Sequence, residues 1–267
     1  MRNNSHPTIA ISNRMFFLTQ DLINYALKTN CGIDYSFEAQ NLSDLKQEAV
    51  YIEKIAREDL DIRYHCPFKS IEFAHVDKNT ADYSLQYLRD CVDVAGSFGG
   101  KYLTTHIGLG FKSPNNIDYE NAVVNLSKLV DYGDKKGITV CLENLTTGWT
   151  NNPRAFLELI EKTGASVTFD LGHANSCPSV IENQCTSVEF LRTVDSYLIN
   201  AHVYEIEKID EKTLEPYHVA PQNLDIIRPL LLELINNTKC DWWVIELRDQ
   251  EEVKHTRYLL ESFLDEI

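Results

Sequence analysis

The chain has 267 residues, of which 43% are hydrophobic and 24% are charged, and its formal net charge is −15. This composition is typical of a globular protein with a large core and unlike that of a disordered chain. The acidic charge counts against a protein that binds duplex nucleic acid, because such proteins usually carry a basic footprint. No window reaches the ~18 consecutive apolar residues that a membrane helix needs.

The beginning of the chain and its cysteines predict a compartment. The first ten residues, MRNNSHPTIA, lack the apolar segment of a secretion signal. The seven cysteines are scattered and odd in number, which is typical of reduced thiols rather than of a disulfide framework. We therefore expect a cytoplasmic protein. The sequence leaves a homo-oligomer open, because apolar surface on outer helices cannot be recognised in it.

Short β-branched or aromatic runs alternate along the chain with longer segments of helical periodicity. The runs predict eight strands, at 8–12, 33–37, 62–66, 102–106, 138–143, 166–170, 198–202 and 242–246. The other segments predict eight helices, at 19–29, 43–58, 80–97, 118–133, 153–163, 185–197, 221–236 and 251–264. Gly137 and Gly164 are placed to end helices, and Pro153 and Pro221 are placed to begin them.

Eight strands, each followed by a helix, define the fold class. The alternation predicts an α/β fold with a parallel sheet. Eight such units in one chain of this length predict a single (β/α)8 TIM barrel over residues 1–267, with eight parallel strands inside an outer ring of helices. A doubly wound open sheet is the alternative. No G-x-G-x-x-G follows the first strand, which disfavours a dinucleotide-binding domain.

Polar residues stand where the predicted strands end, and a barrel carries its chemistry at the carboxyl ends of its strands. The residues at these ends are His65, His106, Glu143, Asp170, His202 and Glu246. His173 follows the sixth strand, and His218 lies in the loop after the seventh. A single histidine in such a place is usually a hydrogen-bonded structural residue. Several imidazoles and carboxylates at one barrel mouth instead predict a divalent-metal site.

The stretch TFDLGHA, residues 168–174, places an acid and an imidazole three residues apart. If the strand ends at Asp170, a turn at Leu171-Gly172 brings His173 to the same mouth from a loop, and Gly172 tolerates the backbone angles of a bend. In the alternative interpretation, Asp170 merely caps the following turn.

Six segments in chain order carry a resemblance to a known family: YHCPF, THIG, CLEN, FDLGHA, NAHVYE and VIEL. Together they resemble the xylose isomerase-like TIM barrels over nearly the whole chain. That superfamily holds sugar phosphate isomerases and epimerases and the endonuclease IV type of enzyme, AP endonuclease family 2. The resemblance to the epimerases implies one divalent ion, Mn, Zn, Co or Mg, held by Glu143, Asp170, His202 and Glu246. It also implies that His173 contacts the substrate.

The resemblance to the endonuclease IV type implies a larger ligand set, with up to three zinc ions. His65, His106, His173 and His218 would then be ligands as well. That type also has an Asp two residues before the last of these histidines, and here the position is Pro216. The sequence leaves open whether Glu215 replaces the missing Asp.

Two functions follow from the resemblance. The first is a metal-dependent isomerase or epimerase that acts on a sugar or a similar small polyhydroxylated substrate through an enediolate. Glu143 and Glu246 would be its catalytic carboxylates, moving a proton off the substrate and back. The alternative is an endonuclease IV-like zinc phosphodiesterase that acts on abasic DNA. The additional histidines favour the alternative, whereas the acidic charge and the altered motifs favour a small-molecule substrate over nucleic acid.

Two further residues are candidates for substrate binding. Trp149 follows the fifth strand and could form an apolar wall, with ordinary loop packing as an equal alternative. Arg248 follows Glu246 by two residues and could bind an anionic group. For Arg248, a surface salt bridge is the favoured alternative.

Overall fold

The computed structural model describes residues 6–39, 41–67, 71–108 and 114–267. Eight parallel strands close into a barrel, which confirms the predicted (β/α)8 architecture, and every strand lies within one residue of its predicted bounds. The barrel strands are β1 (Thr8–Ser12), β2 (Gly32–Ser36), β3 (Ile62–His65), β4 (Tyr102–Thr105), β5 (Thr139–Glu143), β6 (Ser166–Asp170), β7 (Leu198–Val203) and β10 (Trp242–Ile245). β10 pairs with both β1 and β7 and so closes the ring.

Helices surround the barrel. They are α1 (Thr19–Thr29), α2 (Leu42–Ala56), α3 (Lys78–Ser97), α4 (Tyr119–Lys136), α5 (Pro153–Thr163), α6 (Leu171–Ser176), α7 (Pro178–Ile181), α8 (Ser187–Val194), α9 (Arg228–Asn237) and α10 (Gln250–Asp265). α5 shows why such segments begin and end where they do. The Asn152 side chain accepts from two N–H groups of its first turn, Pro153 opens the helix, and Gly164 ends it with φ +73°. No helix in the described ranges is long and apolar enough to cross a membrane.

Two of the predicted helices have wrong bounds. Pro221 does not begin a helix, because residues 221–227 form turns and α9 starts only at Arg228, with Pro229 in its first turn. The predicted helix at 185–197 is shorter at both ends. Thr186 and Glu189 form a reciprocal capping box that starts α8 at Ser187, and a 3-10 turn at Asp195–Tyr197 leads into β7.

The turn predicted after β6 is also wrong, because helix α6 begins directly at Leu171. The backbone N–H of His173 donates to Oδ1 of Asp170 at 2.6 Å, so this carboxylate caps the helix. Gly172 is required for space rather than for a bend. A Cβ at this position would lie 2.0 Å from the ring of Tyr204.

The loop predicted after the seventh strand contains an antiparallel hairpin. Its strands are β8 (Ile206–Ile209) and β9 (Pro216–Val219), and Glu207 pairs with His218 in its register. The hairpin rests on α6, where the N–H of Glu207 donates to Ser176 Oγ at 2.8 Å. It therefore lies at the carboxyl end of the barrel, next to the ends of β6 and β7.

The opposite end of the barrel is closed by a buried arginine. The guanidinium of Arg63 lies 4.2 Å from the ring centre of Tyr102 and 4.6 Å from that of Trp242. It also donates to the side chains of Asn200 and Asp241. Aromatic and polar partners thus engage Arg63 at this end, whereas histidines and carboxylates converge at the carboxyl end.

Candidate metal centre

Four side chains from neighbouring strands meet at the carboxyl end of the barrel. Glu143 ends β5, Asp170 ends β6, His202 lies near the end of β7, and Glu246 follows β10. Nδ1 of His202 lies 3.2 Å from Oε1 of Glu143, 3.6 Å from Oδ2 of Asp170 and 3.1 Å from Oε2 of Glu246. We call these residues the central group. Parallel register produces the convergence, since Asp170 and His202 are direct partners across the β6–β7 pair.

Two carboxylate oxygens of the central group are buried without a hydrogen-bond donor in the described ranges, and such oxygens suit a bound cation. Oδ2 of Asp170 and Oε2 of Glu246 are buried, and neither accepts a hydrogen bond from any described residue. A buried carboxylate oxygen left in that state destabilises a fold by about 1–3 kcal/mol or more. The ligand atoms of the group lie within 4.8 Å of one another. Three carboxylates and one imidazole are a donor set that suits Mn, Zn or Co.

A second set of ligands shares Glu143 with the central group. Nε2 of His65 lies 3.0 Å from Oε2 of Glu143, and the rings of His65 and His106 are 5.0 Å apart. We call His65, His106 and Glu143 the histidine-pair group. Nδ1 of His65 is 3.0 Å from the carbonyl oxygen of Cys66 and donates to it, so Nε2 is the ring atom that faces Glu143. Glu143 therefore directs one oxygen to each of two ligand sets.

A third set of ligands is built on the hairpin. Oε2 of Glu207 lies 3.1 Å from Nε2 of His173 and 4.0 Å from Nε2 of His218. We call these three residues the hairpin group. Nδ1 of His173 donates to the Asn144 carbonyl at 2.9 Å. Nδ1 of His218 donates to the Glu246 carbonyl at 2.7 Å. Both rings thus keep Nε2 for a ligand, the arrangement that metal-binding histidines usually show.

Glu207 is a candidate ligand that the sequence did not predict. Glu215, considered as a replacement for the missing Asp, is exposed and belongs to none of these groups. The available signal was the hairpin itself, because a register that pairs β8 with β9 places Glu207 opposite His218. Oε1 of Glu207 also accepts from Thr146 Oγ1 at 2.7 Å, which holds the carboxylate in place.

The carboxylates favour the protonated form of two imidazoles in these groups, His202 and His173. Burial opposes a charged ring at His202, but Glu143 and Glu246 outweigh it and raise the pKa of His202 well above its usual value. Burial likewise opposes charge at His173, where Asp170 and Glu207 raise the pKa to about 10. Burial and the nearby His65 lower the pKa of His106 to about 3. Ions bound here would take the place of the ring protons.

The two further residues predicted to bind substrate, Arg248 and Trp149, lie in different surroundings. Arg248 is exposed and lines a cavity of about 250 Å³ together with His218 and Glu246. It forms no salt bridge within the described ranges, so the ion pair favoured from the sequence is not observed. Trp149 lies outside that cavity lining and packs edge-on against Tyr119, with ring centres 5.2 Å apart.

Comparison with known proteins agrees with this architecture. Residues 31–257 match the family of the xylose isomerase-like TIM barrel. The chain belongs to this family. Its curated relatives include the uncharacterized protein MJ0008 of Methanocaldococcus jannaschii, which is 32% identical over 215 residues, covering 80% of this chain and 86% of the relative.

Solved structures of the xylose isomerase-like fold include both enzyme types considered above. A D-tagatose 3-epimerase-like protein superposes with a TM-score of 0.73 at 18% identity, covering 97% of each chain. Endonuclease IV from Thermus thermophilus superposes with a TM-score of 0.66 at 14% identity, covering 98% of this chain and all of the other. At these identities the likeness establishes the shared fold, while the reaction has to be argued from the site.

Proposed function

We propose that this chain is a hydrolase of phosphate esters whose centre holds more than one divalent ion. The observation that carries the proposal is the environment of Glu143. Its Oε2 faces His65 at 3.0 Å, and its Oε1 faces His202 at 3.2 Å. With one oxygen directed to each of two candidate ligand sets, Glu143 would help to hold two ions. The hairpin group would hold a third.

Divalent ions at such ligands act as Lewis acids and offset the negative charge that builds on a phosphoryl group in hydrolysis. Hydrogen bonds within the protein fix the orientation of these candidate ligands. Oδ1 of Asp170 caps the first turn of α6, and its Oδ2 faces the central group. His65, His173 and His218 are each fixed through Nδ1 to a backbone carbonyl. Geometry that is set before the substrate arrives lowers the reorganisation needed in the transition state.

The substrate would enter beside Glu246. The cavity there is lined by Arg14 and Arg248 and by the carboxylates of Glu246, Asp249 and Glu252. The two guanidinium groups suit the non-reacting anionic part of a phosphate ester. The net charge of −15 favours a small phosphate ester over duplex DNA. Abasic DNA, the substrate of the sequence-based alternative, belongs in the same assay because its cleavage is also phosphate ester hydrolysis.

The isomerase or epimerase remains the second candidate, and the central group favours it. Glu143 and Glu246 reach His202 from separate strands, as two proton-transfer carboxylates around one ion would. That reaction needs a carboxylate oxygen that is free to take a proton from carbon. In this structure, Oε2 of Glu143 is engaged by His65 at 3.0 Å, whereas Oε2 of Glu246 accepts no hydrogen bond from a described residue. The hydrolase is preferred because the isomerase needs both carboxylates for proton transfer.

Ion content and two assays test the proposal. We expect two or three ions per chain by elemental analysis, and hydrolysis of bis(p-nitrophenyl) phosphate or incision of an abasic oligonucleotide. Glu143→Gln should abolish the hydrolysis, whereas Glu161→Gln, an exposed change on α5, should not alter it. A single ion per chain, no hydrolysis, and exchange of a sugar C–H proton with solvent would favour the isomerase instead.

A further inference from the structure

Tyr204 packs against both histidines of the hairpin group without being one of its candidate ligands. It follows β7 directly and is fully buried. Its ring stacks on that of His218 with centres 3.8 Å apart and planes 4° apart. Its ring also meets that of His173 edge to face, with centres 5.9 Å apart and planes 89° apart. One aromatic ring thus contacts both imidazoles that face Glu207.

The contacts leave little freedom to either imidazole. Nδ1 of each histidine is tied to a backbone carbonyl, which fixes one point of the ring. A hydrogen bond at one nitrogen still permits the ring plane to rotate about the bond. The flat face of Tyr204 removes that rotation for His218, and its edge limits it for His173. Nε2 of each ring is thereby held toward the same carboxylate.

Gly172 leaves the space that the ring of Tyr204 occupies. A Cβ at residue 172 would lie 2.0–2.4 Å from three atoms of Tyr204, so only glycine is compatible with the ring where it lies. The Tyr204 hydroxyl is buried and has no hydrogen-bond partner within the described part of the chain. The contacts that Tyr204 makes with His173 and His218 are therefore made by its ring.

We infer that Tyr204 is a positioning residue: its ring orients His173 and His218 so that they and Glu207 bind an ion together. This inference rests on the proposed multi-ion centre and adds a residue that sets the occupancy of one of its sites. The planar ring, rather than the hydroxyl, carries the role. The ion count of the full chain is therefore the measurement that responds to it.

The test compares Tyr204→Leu with Tyr204→Phe by elemental analysis of the purified, metal-loaded full chain. We expect Tyr204→Leu to lose one ion per chain while the remaining ions stay bound. Tyr204→Phe keeps the planar ring and should retain the wild-type count. Phe156→Leu, at another fully buried aromatic, which lies on α5 and packs against Phe190 on α8, is the matched control and should lose stability but no ion.

Circular dichroism shows whether each variant folds, and Tyr204→Met, which fills the space without a flat face, replaces the leucine variant if that one does not. Equal ion counts in wild type and a folded Tyr204→Leu or Tyr204→Met variant would overturn the inference and leave the hydrolase proposal standing. A wild-type chain that holds several ions but hydrolyses nothing would overturn the hydrolase proposal alone. One ion in the wild-type chain would overturn both.

Discussion

Glu207 stands directly opposite His218 in the β8–β9 hairpin, and the same carboxylate lies 3.1 Å from His173 on helix α6. A strand pair and a helix therefore supply one ligand set between them. The hairpin contributes Glu207 and His218, and α6 contributes His173. The hairpin group exists only when the hairpin is docked on α6, through contacts such as the Glu207 N–H bond to Ser176.

The first prediction concerns the acid of this group. Glu207→Gln removes the only carboxylate of the hairpin group, and we expect the chain to lose one ion. The affinity for that ion should fall by more than the ~10–100-fold that loss of a supporting hydrogen bond produces. Glu215→Gln, on the exposed approach to β9, should change nothing. Loss of an ion from the Glu215 variant instead would contradict the assignment of Glu207.

The second prediction concerns Glu143, which is shared by the central and the histidine-pair groups. An amide in place of the Glu143 carboxylate is a weak ligand for a divalent ion, so Glu143→Gln should empty both the central and the histidine-pair groups. Hydrolysis should drop at least ~100-fold, because several kcal/mol of transition-state stabilisation are lost. Steady-state kinetics and elemental analysis on the same preparation measure both effects. A variant that keeps full ion content would rule out bridging by Glu143.

Removal of the ions should lower the melting temperature. A ligand held at 1,000 times its dissociation constant stabilises the folded state by about 4 kcal/mol, and about 2–4 °C per kcal/mol is expected at this chain length. Chelation should therefore lower the melting temperature by about 10 °C. Differential scanning fluorimetry with and without EDTA measures the shift, and Glu143→Gln should respond less than the wild-type chain. An identical melting temperature with and without EDTA would speak against any tightly bound ion.

A fourth prediction concerns a carboxylate away from the ligand groups. Glu72 is buried, and its two oxygens accept from the N–H groups of Ala74 at 2.8 Å and Gly108 at 2.6 Å. It thereby joins the segment after β3 to the segment after β4. Burial raises the pKa of Glu72 to about 7, and the two hydrogen bonds oppose that rise. Between pH 4.5 and about 7, the folded state therefore binds a proton at Glu72 that the unfolded chain has lost.

The sign of the pH effect follows from that pKa. The stability contributed by protonated Glu72 is fully present below the unfolded pKa of 4.5 and is lost as the pH rises through about 7. Relative to Glu72→Gln, which does not titrate, the wild-type free energy of unfolding should fall between about pH 5 and pH 8, by at most about 3 kcal/mol. Urea denaturation at several pH values measures the difference. A difference that stays constant or grows with pH would show that Glu72 is ionised throughout.

The sequence determined the barrel and most of the centre for one physical reason. Parallel strands in a closed barrel bring their carboxyl ends to the same mouth, so polar residues that end strands meet there whatever their separation along the chain. This places Glu143, Asp170 and His202 together from local pattern alone. Strand ends are fixed by short-range patterns of β-branched residues, which are visible in the sequence.

Only the tertiary structure decided the features that depend on contacts between distant segments. Glu207 became a candidate ligand through a hairpin register and its docking on α6. Gly172 proved to accommodate the ring of Tyr204 rather than to bend the chain. Asp170 proved to cap a helix with one oxygen and face the central group with the other. Each of these features depends on how side chains pack or how strands pair between distant segments. Local sequence patterns do not specify such contacts.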